Sequence, residues 1–229
     1  MLYLLYAALA ALSDILGGLL ILNPRVRNLQ TRYVIGFAAG AVVSAAFLEL
    51  IPQSNIEKNS LFVGLGFFTF YLIEKTIMLH SCGERECEIH SIGWLAVSGM
   101  AADNIVDGVG IAVAYLTDPA IGLLVAIAVI VHEIPQGMTS ATLMKEAGFR
   151  WVRIIIVLVI AGLMYPLGAG LSSFIPASLY SVIIAFVAGV FVYIGASDLL
   201  VEAHKRFNAK VIISVMAGAA LFLILEFSV

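Results

Sequence analysis

The chain has 229 residues, of which 62% are hydrophobic and only 12% charged, and its formal net charge is −3. A soluble domain carries about 25% charged and about 45–50% apolar residues, so an ordinary soluble domain and a disordered chain are both excluded. There is no basic excess to bind nucleic acid, which leaves an integral membrane protein with lipid as its surroundings.

Eight apolar segments follow in chain order: 1–22, 33–52, 60–80, 92–116, 120–144, 151–174, 178–200 and 208–228. Each is close to the ~20 residues that span a bilayer as a helix. Asn23-Pro24-Arg25 ends the first and Pro52 closes the second. Asp118-Pro119 parts the fourth from the fifth, Gly148 ends the fifth, and Pro176 separates the sixth from the seventh; all are turn signals. The runs exceed the ~10 residues of a transmembrane strand and do not alternate, so the segments are expected to be helices. The first lacks a basic leader and outruns the ~7–15 apolar residues of a signal peptide, so it reads as an uncleaved span. The expectation is one all-α transmembrane domain over 1–229.

Lysine and arginine orient the spans. Arg25, Arg27, Arg32, Arg85, Lys145, Arg150, Arg153, Lys205, Arg206 and Lys210 fall in odd-numbered loops, while Lys58 lies in an even loop and Lys75 within span 3. Positive charge stays on the cytoplasmic side, so both termini are expected outside. Cys82 and Cys87 then face a reducing compartment, which disfavours a disulfide. With His80, Glu84, Glu86, Glu88 and His90 they read either as a weak metal-collecting loop or as a polar turn.

Two internal repeats point to a site. Ala39-Gly40 and Ala188-Gly189 are separated by the same 149 residues as Glu49 and Asp198. Spans 2 and 7 run in opposite directions, so the match is that of an inverted repeat relating spans 1–3 to spans 6–8. Span 4 carries Asp103-Asn104-Ile105-Val106-Asp107-Gly108 and span 5 carries His132-Glu133-Ile134-Pro135-Gln136-Gly137, with polar residues at the same places before a glycine.

Asp103 and Asp107 lie one helical turn apart, as do His132 and Gln136, so each helix presents two ligand-type side chains on one face. A carboxylate at mid-bilayer costs roughly 2.5–3.5 kcal/mol on insertion scales, and two on one face also repel. A divalent cation would neutralise them, and protons would do so in its absence. The primary ligands are expected to be Asp103, Asp107, His132 and Gln136, with Asn104 and Glu133 as secondary ligands or orienting groups. Glu49 and Asp198, near span ends, are expected to relay the ion. Pro135 removes a backbone donor and frees the Val131 carbonyl beside the site, whereas Pro166 reads as a tolerated kink. Glu74-Lys75 reads as structural, Glu202 and His204 as a solvated helix end, and Asp14 has no explanation at this level.

These residues resemble the ZIP (Zrt/Irt-like) divalent metal transporters over essentially the full length. His132-Glu133-Ile134-Pro135 is the most specific match. Asp103–Gly108, Phe47–Pro52, Glu74-Lys75 and Tyr193–Leu200 also look like family patterns. The resemblance implies eight helices in a 3+2+3 bundle, metal between helices 4 and 5, homodimers, and import across the cytoplasmic membrane. It implies zinc as the substrate, with cadmium, iron or manganese as alternatives. Three positions depart from the pattern. Asp103 and Glu49 stand where the family has histidine, and Gln136 where it has glutamate or histidine. Oxygen ligands favour harder ions, so manganese or magnesium gains weight. Members with two central metals carry a glutamate in helix 6 where Tyr165 stands, so one metal is expected here. An intramembrane metalloenzyme is disfavoured, because an H-E-x-x-H motif needs histidine where Gln136 lies. A metal sensor or non-transporting relative of the same fold is the remaining alternative.

Overall fold

The structure is a computed structural model that describes residues 1–21, 31–82, 94–205 and 208–228. Helix α1 is Leu2–Leu20. Helix α2 runs Thr31–Ser44, passes through a π turn at Ala45–Leu50 and ends with Ile51–Gln53. Next come α3 (Ile56–Cys82), α4 (Trp94–Thr117) and α5 (Pro119–Glu146). Helix α6 is Trp151–Gly162 and Met164–Leu171, closed by the 3-10 turn Ser172–Phe174. Helix α7 follows a 3-10 turn at Ala177–Leu179 and comprises Tyr180–Val192, a π turn at Tyr193–Leu199, and Leu200–His204. Helix α8 is Ala209–Glu226. All regular structure among the described residues is helical. The loop carrying Cys82 and Cys87, with His80 and His90, lies outside the described side chains, and Arg25, Arg27, Arg85 and Arg206 lie outside the described residues.

Local chemistry sets the helix ends. Asp118 caps α5 by accepting from the Ala120 N–H at 2.7 Å, and Pro119 occupies the first turn, where a missing N–H costs nothing. At the other end Gly148 adopts φ 82°, with Phe149 N–H donating to Met144 O and Gly148 N–H to Lys145 O. That is a Schellman closure, for which glycine is the natural residue. Helix α3 begins at Ile56, four residues ahead of the apolar run. A two-residue turn allows this: Ser54 Oγ donates to Ile51 O, and Asn59 Nδ2 reaches back to Ser54 O at 2.7 Å. The polar first turn Ile56–Asn59 hides this start from hydropathy. Helix α6 breaks at Leu163, just ahead of Pro166, which cannot donate to the Gly162 carbonyl.

Among the described residues, five helices are long and apolar enough to cross a membrane: Leu2–Leu20, Arg32–Gln53, Pro119–Lys145, Trp151–Phe174 and Ala177–His204. Ala209–Leu225 is a shorter apolar helix. Outward faces are apolar. On α1, Leu2, Leu5, Leu9, Leu12, Leu16 and Leu20 form an exposed stripe. Val152, Ile156, Ile160, Leu163, Leu167 and Leu171 do the same on α6. The interior combines many alanines and glycines with larger apolar side chains such as Leu50, Ile111 and Phe191, and holds the buried polar residues. Lipid tails reward such an outer surface, and small residues let helix backbones approach.

The closest approaches come in matched sets. Gly17 lies on the Ile134 carbonyl and Gly168 on the Ile105 carbonyl. Gly137 lies on the Asp14 carbonyl and Gly108 on the Tyr165 carbonyl. Gly40 meets Val215 O, Gly218 meets Phe37 O, Gly189 meets Val63 O and Gly66 meets Phe186 O. These contacts tie α1 to α5, α6 to α4, α2 to α8 and α7 to α3, all of them extensive helix pairings. The two π turns also correspond: Ile51 N–H bonds back to Ala46 O, and Leu200 N–H to Gly195 O. Each is an α-helix with one residue too many.

Candidate metal site

Helices α4 and α5 pack directly on one another, and their polar faces meet in the interior. Asp107, His132 and Glu133 converge there, each with a ligand atom within 4.8 Å of the others, and all three side chains are fully buried. His132 Nε2 is 3.0 Å from Glu133 Oε1 and 3.3 Å from Asp107 Oδ2. The other ring nitrogen, Nδ1, is 3.1 Å from the Ala128 carbonyl. A carbonyl only accepts, so Nδ1 donates, and in the neutral ring Nε2 presents its lone pair. That lone pair then faces two carboxylate oxygens. Three electron-rich atoms held together away from water repel unless a cation lies among them. With metal–ligand bonds of about 2.0–2.2 Å, donors around a tetrahedral ion stand roughly 3.3 Å apart, close to the spacing here. Either a divalent ion or a proton on Nε2 resolves the repulsion.

One turn away on each helix, Gln136 Nε2 donates to Asp103 Oδ2 at 2.8 Å. The four side chains expected as primary ligands therefore form two layers. Asp107 and His132 are sealed with Glu133, while Asp103 and Gln136 are half-buried and line a cavity of about 350 Å³. Glu74, Pro135, Tyr193, Asp198 and Glu202 also line it. The cavity lies toward the helix ends joined by the 3–4, 5–6 and 7–8 loops. Asp198 is exposed to it, and Glu202 pairs with Lys205 at 2.5 Å. Glu74 pairs with Lys75 at 2.5 Å and accepts a hydrogen bond from the Tyr193 hydroxyl.

Asn104 points elsewhere. Its Nδ2 donates to the Ala161 carbonyl at 2.9 Å, at the break in α6, so it ties α4 to α6. Glu49 is buried in the π turn of α2 and does not line the cavity. Pro135 sits inside α5 without interrupting it and forms part of the cavity wall.

Two residues that sequence reasoning left without a role flank the cluster. Asp14 on α1 is 1% exposed, and neither carboxylate oxygen has a hydrogen-bond partner. It is near enough to His132 and Glu133 for their charges to interact. Tyr165 on α6 is fully buried, with its hydroxyl beside Glu133 but unbonded. One signal for Asp14 was available: it is the sole charged residue of an otherwise apolar first span, and an intramembrane acid is a functional candidate by default.

A family model described as ZIP Zinc transporter matches residues 78–226. Zinc transporter ZIPB of Bordetella bronchiseptica is 27% identical over 92% of this chain and 76% of its own length. Zinc transporter ZIP13 of Pongo abelii is 28% identical over 52% of this chain, and zinc transporter YKE4 of Saccharomyces cerevisiae 22% over 53%. The matches span only 41% and 42% of those two relatives.

Proposed function

The chain belongs to the ZIP zinc transporter family, and from that premise we propose that it carries divalent metal ions into the cytoplasm through a site between α4 and α5. The observation that carries this reading is the sealed group of Asp107, His132 and Glu133, whose donor atoms crowd together without hydrogen-bond partners. Zinc is the proposed cargo, with cadmium, iron and manganese as rivals. The relatives named above are zinc transporters, and imidazole suits zinc. A single nitrogen donor among carboxylates leaves manganese as the harder competitor.

In this reading Asp107 and His132 are the innermost ligands and Glu133 completes the set. Asp103 and Gln136 receive the ion one turn nearer the cavity, and Asp198 passes it toward solvent. Glu49 serves the opposite side. The matched glycine contacts and the paired π turns support a 3+2+3 bundle. There α1–α3 and α6–α8 are inverted repeats around α4 and α5, and the site lies at the repeat interface. The basic residues of the odd-numbered loops support both termini outside, which makes the cavity cytoplasmic. The protein is proposed to act as a homodimer in the cytoplasmic membrane.

Flux into proteoliposomes, compared for zinc, cadmium, manganese, iron and magnesium, tests the reading. Saturable zinc or cadmium uptake that disappears in Asp103→Ala/Asp107→Ala is expected. Wild-type uptake by the double variant would overturn the site, and binding without flux of any ion would replace transport with sensing.

A further inference from the structure

Helices α2 and α8 run side by side in the same direction. Gly36 meets Ser214, Gly40 meets Val215, and Gly218 meets Phe37 and Ala41, so the contacts climb both helices together. Their first turns, at Thr31 and Ala209, therefore lie together at the end of the bundle that carries the odd-numbered loops. Two helix dipoles present their positive ends there. A polar network joins them. The Ser214 hydroxyl donates to the Tyr33 carbonyl. Asn208 Nδ2 donates to the Tyr33 hydroxyl at 3.0 Å, and an Arg32 nitrogen donates to the same oxygen at 3.3 Å. The Arg32 guanidinium also lies 5.0 Å from the centre of the Tyr33 ring, a cation–π contact that fixes where the charge stands. Lys210, exposed on the first turn of α8, is near enough for its charge to act on the Tyr33 hydroxyl.

Helix packing does not call for these groups. On the proposed repeat, α7 and α3 are the counterparts of α2 and α8, with Gly189 matching Gly40 and Gly66 matching Gly218. The same offsets place Ser181 at Arg32, Val182 at Tyr33, Ile56 at Asn208 and Phe62 at Ser214. There the two helices make the same glycine-on-carbonyl contacts, yet Phe62 and Val182 line a groove whose walls are wholly apolar. The excess of lysine and arginine on one side of a membrane accounts for the charge. It does not account for a tyrosine, an asparagine and a serine arranged to hold that charge. The Tyr33 hydroxyl shows what the network receives. Its oxygen accepts from both Arg32 and Asn208, which leaves its own proton to donate. Among the described residues no acceptor takes that proton, and the charges that act on the hydroxyl, those of Arg32 and Lys210, are both positive. Such a group pairs with an anion that offers acceptor oxygens. Val34, Ile212 and Ile213 form exposed apolar surface just beyond the network, where the tails of a lipid held there lie.

We propose that Arg32, Tyr33 and Lys210, held in place by Asn208 and Ser214, bind the phosphate of an anionic phospholipid. Arg32 and Lys210 neutralise the phosphate, and the Tyr33 hydroxyl donates to one of its oxygens. On the orientation proposed above the lipid belongs to the cytoplasmic leaflet, whose anionic headgroups attract basic segments. The site shares no residue with the metal site.

Lipid retained by the protein in detergent tests this. Full-length protein is titrated with phosphatidylglycerol or with phosphatidylcholine, and the lipids bound per chain are counted by native mass spectrometry. One phosphatidylglycerol per chain that phosphatidylcholine does not replace is expected. Arg32→Gln/Lys210→Gln should weaken its binding by at least about tenfold, and Tyr33→Phe should weaken it by a smaller factor. Arg150→Gln/Arg153→Gln removes the same charge from another loop and should leave binding unchanged. An equal loss in that control would reduce the site to general surface charge and overturn it. Unchanged binding in Arg32→Gln/Lys210→Gln overturns it directly. Displacement of the lipid by inorganic phosphate would make the ligand a soluble anion and overturn the lipid. Thermal unfolding verifies the fold of each variant, and Arg32→Gln alone gives the comparison should the double variant fail to fold. No arm of the test involves metal, so its failure leaves the transporter reading standing, and a failure of uptake leaves this site standing.

Discussion

In the proposed site, His132 is the residue that sets which ion is held. With Nδ1 committed to the Ala128 carbonyl, Nε2 is the one nitrogen donor in the group of Asp107, His132 and Glu133. His132→Ala removes that donor and leaves only oxygens. Zinc and cadmium uptake should fall by at least about tenfold, while manganese uptake falls less, so the zinc-to-manganese ratio inverts. Competition flux assays would reveal this, and an equal loss for all ions would mean that the imidazole only shapes the cavity. Asn104 makes a contrasting case. Its amide joins α4 to α6 at Ala161, so Asn104→Ala should destabilise by about 0.5–1.5 kcal/mol through the loss of that buried hydrogen bond. Thermal unfolding and uptake together would separate that structural loss from a lost ligand. The spacing of Asp103, Asp107, His132 and Gln136 was legible in the sequence because helical periodicity alone puts each pair on one face. The split into a sealed layer and a cavity layer was not, because depth depends on which neighbours cover each turn. Asp14 stayed opaque for the same reason: the residues it packs against lie on α5, more than a hundred residues away.

At the scale of helices, the apolar runs predicted most of the elements, since bilayer thickness fixes their length. The ends were missed where polar turns extend a helix, as at Ile56–Asn59. The π turns were invisible, because an extra residue in a helix leaves no periodic trace in a uniformly apolar segment. The glycines carry more information than hydropathy. Gly17 and Gly168 hold their helices at backbone contact, as do Gly137 and Gly108. Alanine at any of these forces the pair apart, at a cost of about 1–3 kcal/mol or more. Gly17→Ala and Gly168→Ala should therefore lower the thermal midpoint by similar amounts. A large effect at one and none at the other would contradict the proposed equivalence of α1 and α6. Gly64 has open space around it, so Gly64→Ala serves as the neutral control.

At the scale of the molecule, matched positions on α4 and α5 differ in exposure. Leu143 is 41% exposed at the cavity whereas Ala114, its counterpart on α4, is completely buried. Thr139 is exposed while Gly110 is buried. Along this pair of helices the exposed positions lie toward the odd-numbered loops and their counterparts toward the other end are covered. In a Cys82→Ser/Cys87→Ser background, Leu143→Cys and Thr139→Cys should react with a membrane-impermeant maleimide applied from the cytoplasmic side, and Ala114→Cys should not. Labelling of Leu143→Cys from the outside alone would reverse the proposed orientation. Excess zinc should slow reaction at Thr139→Cys, which lies one turn from Pro135 on the cavity wall. The basic-residue asymmetry carries the proposed orientation in the sequence, whereas the exposure of each cavity residue belongs to tertiary packing and has no sequence signature.

The two π turns bear on the history of the chain. A surplus residue in a helix is uncommon, yet it occurs in α2 and again in α7, with the back-bonds Ile51 to Ala46 and Leu200 to Gly195 at corresponding places. Two separate insertions at matching sites are a poorer account than one. On the proposed repeat, the extra residue entered an ancestral three-helix segment before that segment was doubled, and both descendants kept it. The irregularity is then older than the eight-helix protein, and a surviving single-copy cousin of that ancestor would bear the same turn in its middle helix.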